Sequence, residues 1–185
     1  MKPTFKNRPN TAHKVGNREI WESRSPAVIG ILFAFTDKGL YVLAEKRSEK
    51  MPDAPNKWCA PCGYMDWDES GWDALRREVY EETSFFIDKY KKFIVYDHEK
   101  EPFYVKTDPD ENRQNIALNY MLIFDFEKTG LPKEIEKFKD SEITEIKWIS
   151  LADVDDYPWA FQHDARIEMA FKKLRKWAFE NDIAI

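Results

Sequence analysis

Apolar positions follow two rhythms along this chain. Ala27-Val28-Ile29-Gly30-Ile31-Leu32-Phe33-Ala34-Phe35 is a continuous apolar run, too short for most helices and suited to a strand buried on both faces. Asp37-Lys38-Gly39 is a turn signal, and Leu40 to Lys46 reads as the returning strand of a hairpin. Lys92 to His98 and Phe103 to Lys106 are shorter strand candidates, and Asn115 to Phe126 is a long one. Glu142 to Ile149 carries apolar residues on both of its faces. The second rhythm is helical. Ile167, Ala170, Phe171, Leu174, Trp177 and Ala178 form a stripe that predicts a core-packing helix within Phe161 to Asn181. Another helix is predicted after Ser70, a good N-cap, with Asp73 three residues on to complete a capping interaction. At about 100° per residue its Leu75, Val79 and Phe86 share one arc, which should face a sheet. Strands with two helices spread among them predict a layered α/β domain.

Between these elements, Ser48 to Lys57 is a loop with two prolines. Thr107 to Gln114 is a polar loop holding Asp108, Asp110 and Glu111, and Thr129 to Asp140 is a charged connection. Residues 1–16, rich in Lys, Asn, Thr and Pro, read as an N-terminal arm, and 17–185 as a single domain.

Composition narrows the class. The 13 Phe, 8 Tyr and 7 Trp supply bulk for a real core. A net charge of −5 argues against a nucleic-acid backbone as the main partner, but not against a nucleotide held around bridging metals. No apolar run approaches the roughly 20 residues of a membrane span, and Met1 to Arg24 lacks a signal-peptide apolar region. The expectation is a cytoplasmic protein with no membrane partner.

The chemistry concentrates in one segment. Arg77-Glu78-Val79-Tyr80-Glu81-Glu82 places three carboxylates at i, i+3 and i+4, neighbours on a helix surface. Like charges that close destabilise a helix unless a cation sits among them, so the cluster is a candidate divalent-metal site. On the helical wheel Glu82 lies at the margin of the apolar arc, Glu78 beside it, and Glu81 further round.

Gly63, Glu69, Arg77, Glu78, Val79, Glu81, Glu82 and Phe85 also fall at the spacings of the Nudix box, and the segment resembles it. Ser84 stands where that pattern has Gly, so the helix end is either remodelled or strained. Pro61-Cys62-Gly63 replaces the family's common Pro-Gly-Gly. The resemblance implies a Nudix-like α/β/α sandwich with a mixed β-sheet and a loop-helix-loop catalytic segment. It implies metal-dependent hydrolysis of a diphosphate linkage, with Mg²⁺ or Mn²⁺ held by Glu78, Glu82 and the turn at Cys62 and Gly63, where a backbone carbonyl serves. Hard oxygen donors favour those ions over Zn²⁺. Arg77 is expected to orient the glutamates and to pair with Glu69. The carboxylate that removes a proton from water is left open among Glu81, the first choice, Glu142, Glu145 and the Asp108–Glu111 loop. The resemblance makes the partner a small-molecule nucleotide and, by analogy, suggests a homodimer.

Substrate-selecting residues are less legible. Ala160-Phe161-Gln162-His163-Asp164 resembles a Phe-Asp-His segment of ADP-ribose-hydrolysing members, which makes ADP-ribose the preferred substrate. NADH, dinucleoside polyphosphates, nucleoside triphosphates and nucleotide sugars are the alternatives, and a non-catalytic nucleotide sensor is a further one. His163, Arg113, Arg24 and Trp58 are the candidate substrate contacts, although each has an ordinary surface or core reading. Trp58-Cys59-Ala60-Pro61-Cys62 looks like a thioredoxin active site, but a polar Pro-containing loop precedes it instead of a buried strand. A turn leading into the box is the better reading.

Overall fold

The structure is a computed structural model that describes residues 10–109, 115–133 and 142–183. Strands β1 (Thr11–Val15) and β2 (Arg18–Glu22) pair with each other alone. The main sheet is built from β3 (Pro26–Thr36), β4 (Gly39–Arg47), β5 (Trp58–Cys59), β6 (Cys62–Tyr64), β7 (Ile94–Tyr96), β8 (Tyr104–Lys106), β9 (Ile116–Asp125) and β10 (Ile143–Ser150). Its order is β10-β4-β3-β9-β7, with β5 added to β4, β6 to β3 and β8 to β9. Helices α1 (Gly71–Thr83) and α2 (His163–Glu180) complete the layers.

The apolar run expected to be buried on both faces is β3, the central strand. It runs parallel to β9, from Pro26 opposite Ile116 to Phe35 opposite Asp125, and antiparallel to β4, so the sheet is mixed. Successive side chains of a strand point to opposite faces. Val28, Leu32 and Ala34 pack with Leu75 and Val79 of α1, while Ile29, Ile31 and Phe33 pack with Ile167, Ala170 and Leu174 of α2. A helix therefore covers each face, as the α/β/α expectation required. Gly30 lets α1 approach: a Cβ there would lie 2.7 Å from Cδ1 of Leu75.

Several expectations need correction. Within the segment expected to be an N-terminal arm, residues 11–15 are a regular strand. They form a β-hairpin with 18–22 across Gly16-Asn17, with Val15 opposite Arg18 and Gly16 at φ 60°; Gly at the first position of a two-residue hairpin turn matches the strand twist. Phe86 does not join Leu75 and Val79 in the core. The helix ends at Thr83, Ser84 is left-handed (φ 56°, ψ 8°), and the chain turns so that Phe85 is buried and Phe86 exposed. Ser84 thus accepts the strained conformation, at a cost of about 1 kcal/mol, while its N–H donates to the Tyr80 carbonyl at 2.8 Å. The strand expected over Lys92 to His98 shrinks to Ile94–Tyr96 because 3₁₀ turns occupy Ile87–Phe93 and His98–Lys100.

Candidate active site

Two short strands frame the site. Trp58–Cys59 pairs with Lys46 and Glu45 of β4, and Cys62–Tyr64 pairs with Ile29, Val28 and Ala27 of β3. The intervening Ala60-Pro61 turn is tied to the sheet where Gly30 N–H donates to the Pro61 carbonyl at 2.9 Å. It is tied to α2 where the buried Ala60 N–H donates to Nδ1 of His163 at 3.0 Å. With Nδ1 accepting, the proton of the neutral His163 ring sits on Nε2.

Helix α1 then presents its acids to this turn. Ser70 caps it as expected: its Oγ accepts the Asp73 N–H at 3.2 Å and donates to Asp73 Oδ2 at 2.7 Å. One turn further on, Arg77 gathers the carboxylates. Its Nε and Nη2 form a fork on Glu69 at 3.1 and 2.6 Å, Nη1 donates to Glu78 at 2.9 Å and Glu81 at 3.1 Å, and Nη2 reaches the Tyr64 carbonyl at 2.9 Å. The Arg77–Glu69 pairing expected from the resemblance is present. This fork holds the Glu69 carboxyl below its ordinary range and keeps the guanidinium charged.

Glu78 and Glu82 face inward. Burial pushes Glu78 up, against the opposing pull of Arg77. Glu78 packs onto Gly63 so tightly that any Cβ at Gly63 would overlap its carboxyl. Glu82 accepts the Cys62 N–H at 2.8 Å. Burial, and then the nearby carboxyl of Glu45, pushes Glu82 well above the usual carboxylate range. Glu45 is itself fully buried on β4, and burial raises it as well. Its Oε1 accepts the Cys59 thiol at 3.4 Å, while its Oε2 has no hydrogen-bond partner among the described residues. The pair therefore holds a proton at pH values where exposed carboxylates have lost theirs.

The sulfurs do not form a redox centre. Both cysteines are free, and contact with Cys62, burial and the adjacent carboxylates hold the Cys59 thiol well above its usual range. A thiol so held is a poor nucleophile.

A cleft of about 610 Å³ opens beside this cluster. Cys62, Gly63 and Glu82 line it, and Glu142, Arg47, Phe161, His163 and Arg166 are among its other lining residues. Of the expected substrate contacts among the described residues, only His163 lines it. Arg113 lies outside the described residues. Trp58 is 4 % exposed, its ring edge-on to Tyr157 at 5.3 Å; it is core, not a stacking platform. Arg24 is spent on the carbonyls of Thr107 and Asn115, where it ties the two chain segments together. Among the other acids considered, Glu145 is paired with Lys46 at 2.7 Å and Lys147 at 3.3 Å, Asp108 is exposed and does not line the cleft, and Asp110 and Glu111 lie outside the described residues.

Glu45 and Arg166 were not anticipated from sequence. Each leaves a faint signal: an acid ending the apolar stretch Val42-Leu43-Ala44, and an arginine on the apolar face of a helix beside Ile167 and Ala170. Neither strand alternation nor helical period says what such a residue meets.

Among the described residues, no three His, Cys, Asp or Glu side chains already converge on one point that a cation could fill. Glu78 is drawn to Arg77 and Glu82 to the Cys62 N–H. The donor chemistry nevertheless fits a hard divalent ion: carboxylate and carbonyl oxygens, two acids whose charge burial disfavours, and a glycine at position 63 that lets the Glu78 carboxyl come against the backbone.

Comparison with known proteins agrees with this layout. The NUDIX domain family model matches residues 23–170. The Nudix domain of Shewanella oneidensis NrtR, solved with ADP ribose, superposes with a TM-score of 0.64 at 24 % identity over 83 % of this chain and 90 % of that one. A bifunctional NMN adenylyltransferase/ADP ribose pyrophosphatase from Francisella tularensis, solved with AMP and a Mn ion, gives 0.62 at 20 % identity over 81 % of this chain and 42 % of that one. An Ap4A hydrolase from C. elegans gives 0.58 at 18 % identity over 86 % and 99 %. No protein of curated function matches in sequence. The described residues contain no helix long and apolar enough to cross a membrane. With the family model spanning well over half its length, with Arg77 binding Glu69, Glu78 and Glu81 together and Glu82 holding the Cys62 N–H, the chain belongs to the NUDIX domain family.

Proposed function

We propose that this protein hydrolyses the diphosphate linkage of a nucleoside diphosphate derivative, with Mg²⁺ or Mn²⁺ held by Glu78, Glu82 and the backbone at Cys62–Gly63. The reading rests on one observation above all: Arg77 binds Glu69, Glu78 and Glu81 together, and Glu82 beside them lines the cleft. A bound divalent ion would neutralise phosphate oxygens and lower the pKa of a bound water. The chain's own contribution is positional. Arg77 fixes the acids so that little reorganisation remains when substrate arrives, and the buried turn at Ala60–Gly63 holds the backbone facing them.

Glu81 is the first choice as proton acceptor and Glu142 the second, with Asp110 and Glu111, which lie outside the described residues, as further alternatives. Glu81 shares Arg77 with the other acids, while Glu142 lines the cleft. Replacing the acceptor by Gln should lower kcat by about 10²–10⁴-fold, and replacing the others should leave most of it. ADP-ribose is the preferred substrate. His163 in the cleft, within the segment resembling those of ADP-ribose-hydrolysing members, supports it. The test is a panel of ADP-ribose, NADH, dinucleoside polyphosphates, nucleoside triphosphates and nucleotide sugars with Mg²⁺ and Mn²⁺, scored by release of phosphate or nucleotide. The expected result is turnover that Glu82→Gln abolishes. Tight ADP-ribose binding without turnover would make the protein a sensor, and undiminished turnover in Glu82→Gln would remove the assignment of the site.

A further inference from the structure

Arg166 sits on α2 one turn after His163 and is 8 % exposed, so it is more than nine-tenths buried. Its guanidinium lies 4.9 Å from the centre of the Tyr104 ring. Its backbone N–H donates to the Gln162 carbonyl at 3.3 Å, but the guanidinium has neither a hydrogen bond nor an ion pair with any described residue. The other cleft cations are engaged: Arg47 donates to the Asp53 carbonyl at 3.0 Å and lies 5.0 Å from the Phe161 ring centre, and Lys106 has contacts of its own. Although Glu82 and Glu142 line the same cleft as Arg166, neither pairs with it.

Burying a charge costs free energy unless that charge is paired and hydrogen-bonded. The face of a tyrosine offsets part of the cost but satisfies none of the guanidinium's five donors. Arg166 lines the cleft, so an acceptor bound there comes within reach of its guanidinium. A planar fork of donors matches phosphate bidentately, better than an ammonium does.

We infer that Arg166 is a phosphoryl-binding residue, anchoring a phosphate of the substrate in the cleft that Glu82 also lines. Contact with the Tyr104 ring restricts the motion of the guanidinium before substrate arrives. The inference rests on the diphosphate-hydrolase reading for the identity of the substrate, but not for the existence of the anion site.

The two are separable by experiment. Binding of inorganic pyrophosphate, in buffer with chelator so that no divalent ion contributes, is measured by calorimetry for the wild type, Arg166→Met and Arg166→Lys. Thermal unfolding of each variant is recorded alongside. The wild type should bind pyrophosphate. Arg166→Met should weaken binding by at least about tenfold, the loss of a charge-assisted hydrogen-bond pair, and Arg166→Lys should fall between. With ADP-ribose and Mg²⁺, Arg166→Met should raise KM by a similar factor and change kcat less. A wild type that does not bind pyrophosphate, or a folded Arg166→Met with wild-type affinity, overturns the inference. If Arg166→Met does not fold, an Arg166→Lys variant indistinguishable from wild type overturns it equally. A wild type that binds pyrophosphate through Arg166 but hydrolyses nothing on the substrate panel upholds the anion site and removes the hydrolase reading. Hydrolysis with an unchanged KM in Arg166→Met does the reverse.

Discussion

The backbone N–H of Ala60 donates to Nδ1 of His163 at 3.0 Å, joining positions 103 residues apart in sequence. This bond fastens the first turn of α2 to the turn that carries Cys62 and Gly63. His163→Phe leaves the buried Ala60 N–H without its acceptor, which costs about 1–3 kcal/mol. The melting temperature should fall by roughly 2–4 °C for each of those kcal/mol. His163→Gln, whose side-chain carbonyl can still accept, should lose less. Thermal unfolding of the two variants makes the comparison.

Gly63 is required for proximity. Because a Cβ at this position would overlap the Glu78 carboxyl, Gly63→Ala should displace Glu78 from the turn. The displaced group is the end of a flexible side chain, so stability should change by less than about 1 kcal/mol. Activity should suffer far more, since a misplacement of about 1 Å in a site can cost 10²-fold. A melting curve and kcat measured on the same preparation test both halves; a large Tm loss with activity retained would contradict the assignment.

Arg77→Lys keeps the charge and removes the fork. A lysine cannot grip Glu69 with two parallel donors while also reaching Glu78, Glu81 and the Tyr64 carbonyl. Residues that orient metal ligands typically cost about 10–100-fold when replaced, and that loss is expected in kcat/KM and in the Mg²⁺ concentration giving half-maximal activity. Unchanged Mg²⁺ dependence would show that Arg77 does not position the acids.

The Glu45–Glu82 pair makes the metal-free protein sensitive to pH. Burial raises both acids above their ordinary value of 4.5. Between that value and the raised ones the folded state binds more protons than the unfolded state, so stability falls as pH rises. Glu69 behaves oppositely: its lowered pKa means that its fork with Arg77 contributes at neutral pH and is lost only as pH falls through that lowered value. Glu45→Gln removes one titrating partner and supplies an amide donor beside Glu82. In chelated buffer it should gain about 1 kcal/mol, or roughly 2–4 °C in Tm, with the gain over wild type growing from pH 5 toward pH 8. Mg²⁺ should stabilise the wild type more at pH 8 than at pH 5, because protons compete with the ion at the acids. Melting curves with and without Mg²⁺ across that range read both effects.

The sequence by itself determined whatever local spacing controls. Helical period set Glu78, Glu81 and Glu82 on neighbouring positions and placed Glu82 at the margin of the apolar arc, which is where the structure has it. The capping of α1 by Ser70, with Asp73 as its partner, and the hydrophobic faces of β3 were legible for the same reason; the Arg77–Glu69 pairing, eight residues apart, was legible only through the resemblance to the box. Tertiary structure decided everything that depends on register between distant segments. The pairing of Glu45 with Cys59 turned an edge acid of an apolar stretch into a buried partner of the box. The left-handed Phe161 and Gln162 set α2 so that His163 grips the turn and Arg166 lines the cleft. Trp58 and Arg24, plausible ligand contacts in isolation, were claimed by Tyr157 and by two backbone carbonyls. Periodicity says which face of an element a residue occupies. Only the packing of one element on another says whether that residue meets core, a partner charge or the substrate.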